Sequence, residues 1–394
     1  MITVQEALEL IAQNKSYLGI EHIPFHAAMG RILAETIKTD RPIPPYHRVT
    51  MDGIAINYDG LTSKEGIKIE DIAAAGSPQM TLKNKSDCIE VMTGAVLPAG
   101  ADTVIRYEDL TIENGYATIN EEVKKDQNVH FEGSDMPADL DLVTPGTCIR
   151  TQELAIAASL GRAELKVAAL PSVTIISTGD ELVDVHQLPE SHQIRKSNSY
   201  TVAALLAQWG IRSELLHLLD DKKLIQSKLE TVIEKNDLII LSGGVSKGKF
   251  DFIPEALRNL GIKEVLHKIK QRPGKPLWFG RNENTVVFGL PGNPVSSFVC
   301  AKKYIEHWLR MSLDVKGGLV DYASLSSDVT FKPDLHYFLP VHLKSDTSGL
   351  TYAQPFPGNG SGDFINLRST NGLLELPRGR DLFKKGESFP VLWT

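Results

Sequence analysis

An alternation of short apolar runs and amphipathic stretches between residues 169 and 311 constrains the fold of this chain most strongly. Residues 173–177 and 238–241 are apolar runs of strand length. Residues 202–209 repeat apolar side chains at helical spacing and are followed by Gly210. Buried strands that alternate with such helices form βαβ units around a parallel sheet. We therefore predict a three-layer α/β domain over residues 169–312.

The segments on either side of this domain have a different pattern. Residues 45–131 and 313–394 contain short alternating runs between Gly, Asn and Pro, which predicts two small β domains. Helical spacing, which we expect to extend through the first 40 residues, predicts a split helical domain made of residues 1–44 and 132–168. The predicted fold class is an α/β multidomain protein, in which a three-layer α/β domain with a parallel-rich sheet is joined by a split helical domain with an inserted β domain and by a C-terminal β domain.

Charge and cysteine content exclude several classes of protein. The chain has 42 Lys+Arg against 49 Asp+Glu and a net charge of −7, which disfavours a broad nucleic-acid surface. Cys88, Cys148 and Cys300 form no C-x-x-C pair, so neither a thiolate zinc site nor a disulfide framework is expected. We see no transmembrane stretch and no secretory signal, and therefore expect a cytoplasmic protein in a reducing compartment.

Three glycine-containing loops follow predicted strands of the α/β domain, at residues 177–181, 242–246 and 289–294. Ligands of open α/β sheets bind beyond the carboxyl ends of the strands. Each loop alone is an ordinary turn, but three at one sheet edge predict a ligand site. The chain has neither a Walker-type phosphate loop nor a G-x-G-x-x-G motif, which disfavours the nucleotide sites built on them.

Charged residues in predicted loops of the chain suggest what the ligand is. A basic stretch that includes Lys268, Arg272 and Lys275 surrounds Pro273-Gly274, and such a turn can hold an anion, although a charge run alone is usually a solvated surface. Loop carboxylates favour a hard cation such as Mg²⁺, although each one alone is more simply a helix cap or a turn residue. These carboxylates are Asp52, Asp135, Glu181, Asp220 or Asp221, and Asp251.

Taken in order, the motifs of this chain resemble those of the molybdenum insertases, the molybdopterin molybdenumtransferase family that includes the E domain of gephyrin. The matching segments are residues 42–45, 51–53, 92–95, 98–102, 177–182, 197–199, 242–246, 272–276, 290–294, 360–362 and 371–373. The resemblance implies the same four-part fold and a homodimer whose active site is shared between subunits. It also implies a Mg²⁺-dependent reaction, in which adenylylated molybdopterin and the substrate molybdate give molybdenum cofactor and AMP, and a possible contact with the adenylyltransferase of the pathway.

The resemblance also implies roles for individual residues. The catalytic set comprises Asp52, Thr93, Asp135, Glu181, Asp220 or Asp221, and Asp251. Within it, Asp251 and Glu181 are the expected Mg²⁺ ligands. The expected substrate-binding residues are Ser242, Gly243, Gly244, Lys268, Arg272, Lys275, Pro291, Pro294 and Ser361. Lys268, Arg272 and Lys275 would hold molybdate or the anionic groups of the pterin, whereas the glycine loop and the 291–294 turn would hold AMP.

Two positions depart from the family pattern. Arg272 stands where many relatives have lysine, so a planar fork replaces a point charge. Residues 337–342, a strand that often supplies an arginine, contain none, and Ser361 is the remaining candidate from that domain.

Two alternative functions are a Mg²⁺-dependent nucleotide-pyrophosphate hydrolase and a non-catalytic scaffold paralogue. The motifs at 51–53 and 92–94 favour the insertase over the hydrolase, because the hydrolase needs no β insertion there. The chain has no long linker or extra domain of the kind that a scaffold would suggest.

Overall fold

The computed structural model describes residues 1–219, 221–243, 253–318, 320–356 and 358–394. The chain divides into two compact units. The first comprises Met1–Glu35, Pro145–Ala155 and Ala163–Thr394, and the second comprises Thr36–Thr144 and Ile156–Arg162. Within the described ranges, no helix combines the length and the apolar composition that crossing a membrane requires.

A six-stranded sheet forms the centre of the first unit. Its strands lie in the order Ser213–Leu218, Val173–Thr178, Leu238–Ser242, Val286–Leu290, Trp278–Arg281 and Lys263–His267. The first four strands are parallel to one another. Each of the last two pairs antiparallel with the strand before it in this order. The parallel-rich sheet that the apolar runs predict is thereby confirmed.

Helices cover both faces of this sheet. Ile240 packs into one apolar cluster, and its neighbours Ile239 and Leu241 pack into another on the opposite face. Helices that contribute to the first cluster are Val4–Gln13, Asn198–Ala207 and Pro294–Cys300, the last of which continues through a π-helical turn, Ala301–Ile305, into Glu306–Ser312. Helices of the second cluster are Lys222–Lys235 and Ile253–Asn259. The three-layer arrangement is therefore confirmed.

Side chains at the helix ends explain where several helices begin. Thr3 and Glu6 form a capping box at the start of Val4–Gln13. Asp221 caps Lys222–Lys235 by accepting a hydrogen bond from the Leu224 N–H at 2.8 Å, so of the two candidate aspartates at this position Asp221 is a helix cap.

The C-terminal residues form a closed β structure. Its strands are Tyr322–Leu325, His336–Ser345, Thr351–Pro355, Gly372–Leu376 and Ser388–Trp393. The ring closes because Gly372–Leu376 pairs with both His336–Ser345 and Ser388–Trp393. A short pair accompanies it, formed by Val329–Thr330 and Leu382–Phe383, together with the 3₁₀ turn Phe364–Ser369. The strand Gln271–Arg272 joins this barrel through parallel pairing with His336 and Tyr337.

The first 40 residues contain less helix than their spacing predicts. The first helix ends at Gln13, and Ile20–Pro24 is a strand that pairs antiparallel with Glu164–Ala168. Local spacing does not reveal a strand whose partner lies so far along the chain. Other short elements of this unit are the pair Leu182–Val183 and Ile194–Arg195 and the 3₁₀ turn Phe25–Ala27. The helix Thr151–Ser159 matches the helical pattern predicted within residues 132–168.

The second unit is built on another six-stranded sheet. Its strands lie in the order Thr103–Arg106, Gly53–Ile56, Cys88–Val91, Ile67–Ala73, Tyr116–Ile119 and Leu110–Glu113. Separate apolar clusters cover its faces. The remaining elements are the strand pairs Ile37–Lys38 with Asp141–Val143 and Arg48–Val49 with Val129–His130, and the 3₁₀ turns Tyr58–Gly60 and Tyr107–Asp109. The residue boundaries of the four predicted domains stay a prediction.

We predict that Ile240→Ala lowers the free energy of unfolding by about 2–5 kcal/mol, because Ile240 is fully buried and its truncation leaves a cavity in the central strand. Leu188→Ala is the control, since the Leu188 side chain is 88% exposed and its loss changes stability by about 0.5 kcal/mol or less. Denaturant unfolding of both variants measures the difference. Equal losses would contradict the assignment of Ile240 to the core.

Candidate active site

A cavity of about 1240 Å³ lies in the first unit, where the basic stretch, the loop after the Val286–Leu290 strand and part of the barrel meet. Five residues that the sequence singled out line it together. They are Glu181, Arg272, Lys275, Pro291 and Ser361. Side chains from distant parts of the chain thus face one space.

Hydrogen bonds join the loops at the carboxyl edge of the sheet. The backbone N–H of Gly243 donates to the carbonyl oxygen of Leu290 at 3.3 Å. The side-chain amide of Asn198 donates to the carbonyl of Gly292 at 2.8 Å. The end of the strand that precedes the 291–294 turn is therefore bound by Gly243. The turn itself is bound by Asn198, the first residue of the helix Asn198–Ala207.

Ser361 connects the barrel to the start of the helix Pro294–Cys300. Asn293 stands at the N-cap position, as its sequence context predicts, but its side chain makes no capping bond within the described residues. Instead, Asn293 Nδ2 donates to Ser361 Oγ at 2.9 Å, and the Val295 N–H donates to the Ser361 carbonyl at 3.1 Å. This pair of bonds fixes the loop that carries Ser361 against the cavity wall.

Residues 272–276, which we call the basic turn, carry the positive charge of the cavity. The Arg272 guanidinium lies 5.9 Å from the centre of the Phe331 ring, which stacks on Tyr337 at 4.2 Å. Among the described residues, neither Arg272 nor Lys275 forms a salt bridge. Two cations without carboxylate partners in one cavity suit an anionic ligand.

Two carboxylates also line the cavity. Asp328 is engaged by the Lys385 N–H at 2.8 Å and the Lys384 ammonium at 3.1 Å, and these bonds lower its pKa. Glu181 forms no ion pair within the described part of the chain, and its carboxylate lies over Gly179, where a Cβ would come within 2.5 Å of Glu181 Oε2. The φ of Gly179 is +129°, which also favours glycine there.

Glu181 offers the donor chemistry of a Mg²⁺ ligand. Groups of three or more His, Cys, Asp or Glu side chains placed to hold a metal do not occur among the described residues. Mg²⁺ is usually bound through one or two carboxylates together with substrate phosphates, so a single available carboxylate fits that mode. Asp251, the other predicted ligand, lies outside the described residues.

Several predicted site residues do not line the cavity. Ser242 is buried at the end of its strand, and Pro294 is the first residue of the helix behind the cavity. Lys268 has a φ of +69°, and its backbone binds Leu277 and Ile2 in the bend before the basic turn. Asp220, Gly244 and Asp251 lie outside the described residues.

The second unit contains the other predicted catalytic residues. Asp52 Oδ1 accepts a hydrogen bond from the Thr93 N–H at 2.6 Å, and this bond lowers the pKa of Asp52. Next to Asp52, a Cβ on Gly53 would lie 1.8 Å from the Ile105 carbonyl oxygen, so glycine permits the close strand pairing that fixes this position. Asp52 and Thr93 are thus brought together.

Asp135 belongs to a different polar contact of the second unit. Its Oδ1 lies 2.8 Å from His130 Nε2, and His130 Nδ1 lies 3.0 Å from the Arg48 guanidinium. His130 thus lies between Arg48 and Asp135, with one ring nitrogen facing each of them.

Gln271, Phe331 and Tyr337 are among the residues of the cavity wall that sequence reasoning missed. Phe331 and Tyr337 belong to barrel segments whose alternation resembles any half-buried β structure, so no local signal marks them. Gln271 precedes Arg272, and that position was the only available hint.

Comparisons with known proteins agree over nearly the whole chain. Residues 2–161 match the MoeA N-terminal region (domain I and II), residues 174–311 a probable molybdopterin binding domain, and residues 322–393 the MoeA C-terminal region (domain IV). A molybdopterin molybdenumtransferase from Synechocystis sp. is 39% identical over 396 residues, which cover 99% of each chain. One from Staphylococcus epidermidis is 28% identical and covers 100% of this chain and 96% of its own. The crystal structure of a molybdopterin biosynthesis MoeA protein from Pyrococcus horikoshii OT3 superposes with a TM-score of 0.85 at 26% identity and covers both chains completely.

We predict that Asp52 titrates below the ordinary aspartate value of 3.8, because the Thr93 N–H binds the ionised carboxylate. A carboxyl whose pKa is lowered by folding stabilises the folded state fully above its pKa in the unfolded chain. This stabilisation is lost as the pH falls through its pKa in the folded state. The stability advantage of the wild type over Asp52→Asn should therefore be lost as the pH falls from the unfolded value of 3.8 through the lower folded value. Carboxyl NMR titration and unfolding at several pH values test this, and a pKa at or above 3.8 would contradict it.

Proposed function

This chain belongs to the MoeA family of molybdopterin molybdenumtransferases, and we propose that it transfers molybdate into adenylylated molybdopterin and releases AMP. As a member of this family it is an enzyme, a transferase of molybdenum cofactor biosynthesis. The observation that carries the finer proposal is the cavity beside the loops at the carboxyl edge of the sheet, in which Arg272 and Lys275 have no carboxylate partner among the residues that the structure describes.

The proposed substrates are anions, and the basic turn has two different cations to bind them. The planar guanidinium of Arg272 can donate two parallel hydrogen bonds to one oxyanion, whereas the Lys275 ammonium acts as a point charge. We assign molybdate or the anionic groups of the pterin to this pair. Lys268 stays in the proposal as a more distant positive charge, since it precedes the turn.

We assign the AMP part of the substrate to the glycine loop and the 291–294 turn, with Ser242, Gly243, Gly244, Pro291 and Pro294 as its residues. The bonds from Gly243 to Leu290 and from Asn198 to Gly292 support this, because they fix Gly243 at its strand end and Gly292 within the turn. A loop held in advance loses less conformational freedom on binding.

Mg²⁺ is the proposed cofactor, and Glu181 and Asp251 are its proposed ligands. When bound, it would neutralise the negative charge of the substrate phosphates. The Glu181 carboxylate lies over Gly179 at the cavity, where it can serve as a ligand of Mg²⁺.

The proposal retains the other members of the predicted catalytic set, which are Asp52, Thr93, Asp135 and Asp220. The hydrogen bond from Thr93 supports a role for Asp52, because it keeps that carboxylate ionised and fixed. A homodimer, contact with the adenylyltransferase of the pathway and a cytoplasmic location complete the proposal.

We expect purified protein with adenylylated molybdopterin and Mg²⁺ to release AMP only when molybdate is added. We expect Arg272→Ala to raise the molybdate concentration for half-maximal rate about tenfold or more, since a hydrogen bond to a charged group contributes about 1.5–3 kcal/mol. Chromatographic quantification of AMP measures both effects. Lys344→Ala is the control, because Lys344 is an exposed cation of the barrel that does not line the cavity.

Other outcomes of this assay distinguish the alternatives. AMP release that does not depend on molybdate would favour the nucleotide-pyrophosphate hydrolase. A protein that neither binds nor cleaves the adenylylated pterin would favour the non-catalytic scaffold.

We expect chelation of Mg²⁺ to stop AMP release and Glu181→Gln to raise the Mg²⁺ concentration for half-maximal rate about tenfold, because an amide is a weaker ligand for a hard cation than a carboxylate. Glu230→Gln is the matched control, since Glu230 lies exposed on the helix Lys222–Lys235. An unchanged Mg²⁺ requirement in Glu181→Gln would remove this residue from the proposed metal site.

A further inference from the structure

We propose that Gln271, Cys300 and Tyr304 form a buried clamp that holds the basic turn in the conformation in which it binds its anion, with Gln271 as the central positioning residue. This inference rests on the proposed function of the turn as an anion site. It adds buried residues that decide how Arg272 and Lys275 are presented.

The Gln271 side chain is 0% exposed, and both ends of its amide have partners. Its Nε2 donates to the Pro273 carbonyl at 2.9 Å and lies 3.7 Å from Cys300 Sγ. Its Oε1 accepts a hydrogen bond from the Tyr304 hydroxyl. A buried amide that is satisfied in this way fixes both the side chain and the backbone carbonyl that it binds.

Gly274 brings the turn into direct contact with the same group of side chains. A Cβ at Gly274 would lie 2.5 Å from Cys300 Sγ and 2.7 Å from Gln271 Nε2, so the turn backbone packs where only glycine fits. Cys300 Sγ also donates to the Gly274 carbonyl at 3.5 Å. Two consecutive carbonyls of the turn are thus bound by buried side chains, that of Pro273 by Gln271 and that of Gly274 by Cys300.

Cys300 and Tyr304 come from a single helical segment. Cys300 ends Pro294–Cys300, and Tyr304 lies in the π-helical turn Ala301–Ile305 that follows it. π-Helical turns change the direction of the side chains that follow and occur frequently at functional sites. The helix whose first turn borders the cavity therefore also supplies the support of the basic turn.

The barrel supports the turn from its other end. Gln271 and Arg272 pair in parallel with His336 and Tyr337. Behind that pairing, Glu375 lies 2.5 Å from the Lys303 ammonium and 3.6 Å from His336 Nε2. The start of the turn is therefore fixed by a strand pairing and its middle by the clamp.

This arrangement explains how two exposed cations can bind an anion selectively. Arg272 and Lys275 are exposed and have flexible side chains, so the geometry of the site depends on where their backbone is held. A turn that is fixed in advance loses less conformational freedom when the anion binds. If the turn becomes disordered, its affinity for the anion falls.

The test uses the full chain with Gln271→Met, which keeps the length of the side chain but removes its polar atoms, and Tyr304→Phe, which removes only the hydroxyl. We expect Gln271→Met to weaken the binding of molybdate, measured by calorimetry with molybdate alone, about tenfold and to speed amide exchange within residues 272–276. We expect the KM for molybdate to rise by a similar factor while kcat at saturating molybdate stays within about threefold. The variant that combines Gln271→Met with Tyr304→Phe should bind molybdate as weakly as Gln271→Met alone, because the two side chains share one hydrogen bond.

Thr285→Val is the matched control. It removes a buried side-chain hydrogen bond, from Thr285 Oγ1 to the Ile233 carbonyl at 2.9 Å, at the end of the strand Val286–Leu290 that lies away from the cavity. It should lower the melting temperature without changing molybdate affinity or exchange in the basic turn.

The outcomes separate the clamp from the proposed function. If Arg272→Ala weakens molybdate binding but Gln271→Met changes neither binding nor exchange, the clamp is overturned and the anion site stands. If the wild type binds molybdate but releases no AMP with it, the proposed reaction fails, and the calorimetric comparison still decides the clamp. If the wild type and Arg272→Ala bind molybdate equally, both the anion site and the clamp are overturned.

Discussion

The burial of the central sheet on both faces is the constraint on which the rest of the first unit depends. Every residue of Leu238–Ser242 and of Val286–Leu290 is buried, with helices packed above and below. Strands of this kind have no room for charged side chains along their length. Polar chemistry is therefore confined to the loops beyond their ends, and the loops that carry Gly243 and Pro291 are joined there by a hydrogen bond at the strand end.

A second constraint follows from the first, because loops alone do not fix charged side chains. The basic turn is held by a parallel pairing with the barrel at Gln271–Arg272 and by contacts with the helix Pro294–Cys300. Ser361 connects the same barrel and helix on another side of the cavity. The barrel is thus a structural part of the cavity even though its strand His336–Ser345 contributes no arginine.

The sequence predicted the parts of this structure that repeat with a short period. The central sheet, its helices and the β texture of the C-terminal residues follow from alternation and helical spacing, and Asp221 follows from the preference of helix starts for such side chains. The strand Ile20–Pro24 was missed because only its distant partner makes it a strand. The partner of the Asn293 side chain is Ser361, which no local pattern brings near. Gln271 was missed because a buried glutamine looks in sequence like an exposed one.

The distribution of charge within the cavity decides what it can bind, and the net charge of −7 conceals it. Asp328 is engaged by Lys384 and the backbone of residue 385, and the Glu181 carboxylate lies over Gly179. Arg272 and Lys275 form no salt bridge among the described residues, and both are exposed at a cavity wall that includes Phe331 and Tyr337, so an oxyanion can reach both charges. The net charge of a chain therefore does not determine the ligand of one cavity, because a chain that is acidic overall can present two cations together there.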